Sequence, residues 1–200
     1  MSKIDELVNW QEKNGFVKAQ NKIKIYYTTS AFAKTVQLVK AHPVEIGWNM
    51  FIMPFKDGYE VSDIVVYPQK VSAAHISVDV GNWGLWKASL PDAYDANLFG
   101  HGHSHVNMGV FASIVDENQQ YEEVMHKGKG FYFFHIWNKR NEIKSFFYDI
   151  DNKIYYTDEN IEMIVQWADN FVYESFNMVS GERILEQYEE GEDFESEQIF

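Results

Sequence analysis

Hydrophobic and polar residues alternate along much of this chain, which is the pattern of strands with one buried face. The clearest alternation covers residues 22–28, and the apolar run over residues 44–54 predicts a more deeply buried strand. β-Branched and aromatic residues between turn formers predict further strands over residues 59–66, 74–80, 98–105, 131–137, 143–148 and 153–156.

Other segments have apolar residues three to four positions apart, as amphipathic helices do. They predict helices over residues 3–14, 29–41, 113–126 and 158 to about 188. The pair Thr29-Ser30 is suited to cap the second helix, and Pro43 ends it because proline keeps the preceding residue extended. The last helix is predicted from the apolar positions Ile161, Ile164, Val165, Ala168, Phe171 and Val172.

Together these elements predict an α/β fold in a single domain, with a mixed central sheet flanked by helices. We divide the chain into an N-terminal helical extension (1–20), a central domain (21–157) and a C-terminal helix with an acidic tail (158–200). Residues 181–200 contain eight acidic residues and one arginine, a net charge of −7. Such a segment is typical of a solvated chain end or of a docking surface for a basic partner.

The composition of the chain excludes several classes of function. Cysteine is absent, which excludes disulfides, iron–sulfur clusters, thiolate zinc sites and a cysteine nucleophile. The formal net charge of −13 disfavours binding to nucleic acid or to an anionic membrane. No apolar run approaches the roughly 20 residues of a membrane helix, and residues 1–15 lack the apolar core of a secretion signal. We therefore expect a soluble, cytoplasmic protein, whose oligomeric state the sequence does not indicate.

Residues 103–116 carry the strongest chemical signal. His103 and His105 project from the same face of the predicted strand over residues 98–105, because side chains alternate along a strand. Asp116 follows on the predicted helix, three residues after Ser113. Two imidazoles and one carboxylate form a three-ligand set for Zn²⁺ that leaves one coordination position open, as in catalytic zinc sites.

Each part of this pattern also has a purely structural interpretation. Ser113-x-x-Asp116 resembles a capping box that begins a helix, which does not prevent Asp116 from binding a metal. Three histidines within five residues also occur in polar loops. His101 shares the strand face. If His101 and His103 were the ligand pair, however, the same spacing of eight and eleven residues would lead from His103 to Phe111 and Ile114, which bind no metal, so we interpret His101 as a neighbour of the ligands.

The whole pattern resembles the signature of the JAMM (MPN-plus) metallopeptidases, also called Mov34/MPN/PAD-1 domains. Members of that family have a glutamate on an early strand, followed by H-S-H-x(7)-S-x(2)-D. The second part stands here as His103-Ser104-His105, Ser113 and Asp116.

Glu45 matches the upstream glutamate of the family, because it follows the first long helix and begins an apolar strand. No fixed spacing connects it to the histidines, so other carboxylates remain alternatives: Glu60, Glu117 and Asp79. The chain departs from the family at Val106, where proline is usual. We expect this departure to change the geometry of the loop more than its chemistry.

The resemblance, which covers residues 22–157, implies an MPN-like (cytidine-deaminase-like) domain and a zinc-dependent hydrolase of peptide or isopeptide bonds. One zinc ion would be held by His103, His105 and Asp116. Glu45 would act as the general base, and Ser113 would donate a hydrogen bond to the oxyanion. The implied partners are a peptide or a ubiquitin-like protein. The segment over residues 81–97, a predicted loop with a short helix and two tryptophans, would line a groove for the extended chain of such a substrate. Ordinary aromatic packing is the alternative interpretation of this segment.

Two other functions remain open from the sequence. The chain would be a scaffold of MPN type if it bound no metal, and its C-terminal segment would then be the interface. It would be a zinc hydrolase of small amides if ubiquitin-like proteins were not substrates. Deaminase chemistry is disfavoured because the usual ligand set of zinc deaminases includes cysteines.

Overall fold

A computed structural model of the chain describes residues 10–72, 75–78, 80–92, 97–167, 174–177 and 182–185. The α-helices in this part are α1 Trp10–Lys13, α2 Thr29–Ala41, α3 Val80–Ser89 and α4 Ile114–Lys127. The strands of the main sheet are β1 Val17–Lys18, β2 Ile23–Thr28, β3 Gly47–Phe55, β4 Gly58–Val65, β7 Leu98–Ser104, β8 Phe131–Trp137, β9 Ile143–Asp149, β10 Ile154–Thr157, β11 Ile161–Gln166, β12 Glu174–Asn177 and β13 Glu182–Leu185. A separate hairpin consists of β5 Gln69–Ser72 and β6 His75–Val78.

The main sheet has eleven strands in the order β1-β10-β9-β8-β7-β3-β4-β2-β11-β12-β13. It is mixed: β7 pairs antiparallel with β3 and parallel with β8, and helix α4 connects β7 to β8. The sheet also curls, since Tyr59 on β4 packs against Phe147 on β9 with ring centroids 4.7 Å apart, although three strands lie between β4 and β9.

Strand β8 shows how alternation divides the core into two clusters. Phe131 and Phe133 point into the large cluster inside the curled sheet, while Tyr132 and Phe134 point into a smaller one on the other face. Trp10 belongs to this smaller cluster, together with residues of α4 and β9. The inner face of the sheet is therefore buried largely against the sheet itself.

The expected MPN-like (cytidine-deaminase-like) α/β fold, with a central sheet flanked by helices, is wrong for this chain. The described part is rich in strands, and its helices are too few to flank the sheet. A physical reason is the curl, which buries strand residues against other strands and leaves less apolar surface for helices to cover.

The predicted C-terminal helix is also wrong where the structure describes it. A short 3₁₀ helix covers Asp158–Asn160, and strand β11 follows. Ile161, Met163 and Val165 are at most 4% exposed, so the most buried positions lie two residues apart, as they do along a strand. The prediction instead counted Ile161, Ile164 and Val165 as a helical face, and a short apolar run fits either period.

Other predictions hold within a few residues. Helix α2 covers the predicted segment and ends at Ala41, but its cap is Thr28, whose hydroxyl accepts a hydrogen bond from the Ala31 amide. Strand β5 is not predicted by the pattern. Residues 81–97 are predicted to form a loop with a short helix, and α3 is that helix. Residues 3–9, which belong to the predicted N-terminal helix, and residues 186–200 of the acidic tail lie outside the described residues. None of the helices in the described ranges has the length and hydropathy that crossing a membrane requires.

Candidate metal centre

The histidines lie at the end of β7, in the middle of the sheet. His101 and His103 are on this strand, and His105 is the first residue beyond it. In the sheet, His103 lies opposite Gly47 of β3 on one side and opposite Ile136 of β8 on the other. Hydrogen bonds to both neighbouring strands therefore hold the backbone of this segment in place.

Asp116 approaches the histidines from the first turn of α4. Ser113 is the N-cap residue, and its hydroxyl accepts a hydrogen bond from the Asp116 amide at 3.2 Å. In return, the Ser113 amide donates to Asp116 Oδ2 at 2.7 Å. The structural interpretation of this pair is thus correct, since a capping box is present, and the same box orients the Asp116 carboxylate.

Three side chains form one compact donor set. Nε2 of His103 lies 3.2 Å from Oδ1 of Asp116, and Nε2 of His105 lies 3.7 Å from Oδ2. One ligand atom from each of the three lies within 4.8 Å of the other two. Tetrahedral zinc with bonds of about 2.0–2.1 Å separates its ligand atoms by about 3.3 Å. The two histidine–aspartate distances are therefore close to those that one metal ion would require.

The hydrogen bonding of the two histidines leaves Nε2 of each ring directed to this set. Nδ1 of His105 bonds to the Gly109 carbonyl at 2.9 Å, which requires the proton on Nδ1 and leaves the Nε2 lone pair free in the neutral ring. Nε2 of His103 is buried and has no hydrogen-bond partner among the described residues. An orphaned buried nitrogen is costly unless something binds it, and a metal ion would do so.

Burial and charge set the protonation of the three groups differently. Burial lowers the pKa of His103 to about 4, despite the opposing charge of Asp116. Burial also acts to lower the pKa of His105, but hydrogen bonds to Asp116 and to the Gly109 carbonyl outweigh it and raise that pKa. Burial acts to raise the pKa of Asp116, and the neighbouring histidines and Ser113 lower it to about 2. Asp116 is consequently ionised and His103 neutral near pH 7, as metal ligands must be.

Glu45 lies directly before β3 and lines the same cavity as the three ligands. It is 7% exposed, and its charge contributes to raising the pKa of His105. Its segment is held beside β7 because the Ser104 amide donates to the Ile46 carbonyl at 2.9 Å. Of the alternatives, Glu60 accepts a hydrogen bond from Gln166 on β11, Glu117 does not line this cavity, and Asp79 is outside the described residues.

His101 lies beside the donor set without joining it. Its Nε2 hydrogen-bonds to the Tyr67 hydroxyl at 2.9 Å, and burial lowers its pKa to about 3. Sequence reasoning missed Tyr67, which lines the cavity but belongs to no motif. Tyr67 also packs edge-on against Trp83, with ring centroids 5.5 Å apart. Trp83 and Trp86 contact each other and do not line the cavity, which favours the packing interpretation of their segment.

Val106, which stands where the JAMM signature usually has proline, has a φ of +49°. Proline is restricted to φ near −65°, so proline is incompatible with this backbone. A β-branched residue with positive φ is uncommon and strained. This strained backbone occurs immediately after a metal-ligand candidate, and a change of loop geometry relative to the family stays a prediction.

The donor set lies in a cavity of about 360 Å³. Ser113 and Glu45 line it together with the three ligand candidates, so these five residues share one cavity. Exposed apolar side chains also line it: Met108, Phe111, Val115 and Val78. The cavity thus combines the donor set with exposed side chains of both kinds, since the polar residues Asn118 and Glu122 line it as well.

No protein-family model and no curated protein matches this chain. What is shown is a group of two histidines and one aspartate that can hold a metal ion.

Proposed function

We propose that this protein is a zinc-dependent hydrolase of peptide or isopeptide bonds. The observation that carries the proposal is the donor set of His103, His105 and Asp116, in one cavity with the buried carboxylate of Glu45. Support also comes from the motif that these residues share with the JAMM metallopeptidases. The fold adds no support, because it differs from the one that the resemblance implies.

The donor set suits zinc in a catalytic role. Two imidazole nitrogens and one carboxylate oxygen are three ligands, and catalytic zinc sites have three protein ligands and an open position. When bound, zinc supplies Lewis acidity and lowers the pKa of its water from about 15.7 toward roughly 7. An open position facing a cavity gives a substrate access to it.

Two further residues have roles in the proposed reaction. Glu45 accepts a proton from the attacking water and delivers it to the leaving amine, which otherwise leaves poorly. The Ser113 hydroxyl accepts a hydrogen bond in the helix cap, so its own proton is available to donate to the oxyanion of the substrate. A comparable donor contributes roughly 3–4 kcal/mol to lowering the barrier.

A peptide with an extended tail is the proposed substrate class, and a ubiquitin-like C-terminus is one example. The exposed side chains of Met108, Phe111 and Val115 support this choice, because they offer apolar contacts to a chain that passes over the cavity. A small amide fits the same cavity but would leave these side chains uncovered. An MPN-type scaffold would have no use for a donor set at these distances.

The Glu45→Gln variant tests the proposal against a matched control, Glu60→Gln. Glu45→Gln should keep one equivalent of zinc and lose about 10²- to 10⁴-fold in hydrolysis, because the amide cannot accept a proton. Glu60 lies on β4 and bonds to Gln166, so Glu60→Gln should leave both properties unchanged. Substrates are a panel of ubiquitin-like fusions, peptides and small amides.

Three outcomes would count against parts of this proposal. Wild-type hydrolysis in Glu45→Gln would reassign the general base. Cleavage of small amides alone would exclude the peptide substrate class. A wild-type protein that binds no zinc would contradict the proposed function as a whole.

A further inference from the structure

We infer that Asn138 is a positioning residue for the metal ligand His105, acting through the loop of residues 105–109. Asn138 follows β8 in the polar turn that joins β8 to β9, and its side chain is fully buried. The inference rests on the proposed function in one respect, namely that the donor set binds a metal ion.

Three consecutive residues of the turn hydrogen-bond to three consecutive carbonyls of the loop. The Lys139 amide donates to the Val106 carbonyl at 2.7 Å. The Arg140 guanidinium donates to the Asn107 carbonyl at 2.9 Å. Nδ2 of Asn138 donates to the Met108 carbonyl at 2.8 Å. These bonds connect the loop to the turn along most of its length.

The loop in turn fixes His105 at both its backbone and its ring. The His105 amide donates to the Trp137 carbonyl at 2.7 Å, and the His105 carbonyl accepts from the Met108 amide at 2.8 Å. The next carbonyl along, that of Gly109, bonds to Nδ1 of the His105 ring. The bond from Asn138 therefore lies one residue from the group that orients the ring and sets its tautomer.

The side-chain amide of Asn138 both accepts and donates hydrogen bonds, which explains why asparagine suits this position. Its Oδ1 accepts from the amides of Arg140 at 2.9 Å and Glu142 at 3.0 Å, which closes the turn. Its Nδ2 donates to the Met108 carbonyl and to the Glu142 carboxylate. Aspartate would keep an oxygen that accepts the bonds closing the turn, but it would lose the N–H group that donates to the Met108 carbonyl. The Asn138→Asp substitution therefore removes the bond to the loop and keeps the bonds within the turn.

The test compares Asn138→Asp with Asn152→Asp in the full chain. Asn152 also lies in a turn of this sheet, and the hydrogen bonds described for its amide and side chain both go to the Asp149 carboxylate rather than to the loop. Asn138→Asp should weaken Co²⁺ and Zn²⁺ binding about 10- to 100-fold, as loss of partners behind a ligand does. It should also change the visible absorption spectrum of bound Co²⁺. Asn152→Asp should leave affinity and spectrum unchanged.

A second variant, Arg140→Ala, keeps the inference testable if Asn138→Asp does not fold. Arg140 is exposed, and its side chain supplies the bond to the Asn107 carbonyl, so a smaller loss of Co²⁺ affinity is expected. Thermal unfolding of the metal-free proteins identifies the folded variants. If Asn138→Asp folds and has wild-type affinity and spectrum, the inference is overturned and the proposed function stays intact. If Asn138→Asp does not fold, the same result in Arg140→Ala overturns the inference. Failure of the wild-type protein to bind Co²⁺ or Zn²⁺ would instead contradict the proposed function.

Discussion

The pKa values of His103 and His105 shift in opposite directions although the two residues lie two positions apart. Burial lowers the pKa of His103 despite the nearby charge of Asp116, whereas hydrogen bonds to Asp116 and to the Gly109 carbonyl outweigh burial at His105 and raise its pKa. Asp116 connects the two, since its two oxygens face the two rings. The charge of this one carboxylate therefore acts against burial at both histidines, in the direction that raises the pKa of each.

Replacing Asp116 by asparagine should lower the pKa of His105 in the metal-free protein, because burial would then act with fewer opposing contacts. In the wild type, the raised pKa of His105 contributes stability that is fully present below the unfolded pKa of about 6.5 and is lost as pH rises through the folded pKa. Asp116→Asn should reduce this contribution. NMR titration of the imidazole protons measures both pKa values, and an unchanged His105 pKa would contradict the assigned partners.

The strain at Val106 leads to a second prediction. Proline cannot adopt a φ of +49°, so Val106→Pro should destabilise the protein by more than about 1 kcal/mol and weaken metal binding. Glycine adopts this conformation freely, so Val106→Gly should be nearly neutral, with relief of strain offset by a more flexible unfolded chain. Urea unfolding of the two variants measures these changes. Equal stability of Val106→Pro and the wild type would contradict the positive φ at this position.

The strands and helix that carry the ligands were predictable, because their signal is local. A strand, a loop and a capped helix fall within residues 98–127, and each has its own pattern of apolar or capping residues. Contacts between distant segments have no such pattern. The positions of Tyr67 and Asn138 beside this motif depend on the docking of a separate hairpin and of the β8–β9 turn. The sequence offered no signal for either residue.

Close packing between β3 and β7 gives a prediction at Gly102, which lies between two histidines. A Cβ atom at this position would be 2.3 Å from the fully buried Trp48 indole. Gly102→Ala should therefore cost about 1–3 kcal/mol of the free energy of unfolding. Gly84 lies on α3 with no atom within 4 Å of such a Cβ, so Gly84→Ala should stabilise by up to about 1 kcal/mol. Denaturant unfolding that ranks Gly102→Ala equal to Gly84→Ala would contradict this packing.

The fold of the whole molecule was the least predictable feature. Single strands are visible in the sequence, but the curl of an eleven-stranded sheet depends on contacts such as Tyr59 with Phe147. Segment 158–167 illustrates the same limit, since its apolar residues fit either period and pairing of β11 with β2 decides between them. Tertiary context thus overrides local pattern where the run is short.

Metal binding should stabilise the entire fold, because the ligands come from two elements that unfolding would separate. Zinc at 100 times its dissociation constant should add about 2.7 kcal/mol to the free energy of unfolding. For a chain of this size, that raises the melting temperature by roughly 5–10 °C. His103→Ala should abolish the shift, and His126→Ala, which removes an exposed histidine of α4, should keep it. A shift of equal size in His103→Ala would assign the metal to another place.

The metal content of the purified protein tests the central claim most directly. Elemental analysis after equilibration with zinc should give one ion per chain for the wild type and for Glu45→Gln, and a small fraction of that for Asp116→Ala. Such a result would assign the ion to the donor set and leave Glu45 free for chemistry. A wild-type protein without stoichiometric zinc, or an Asp116→Ala variant that retains it, would contradict the account.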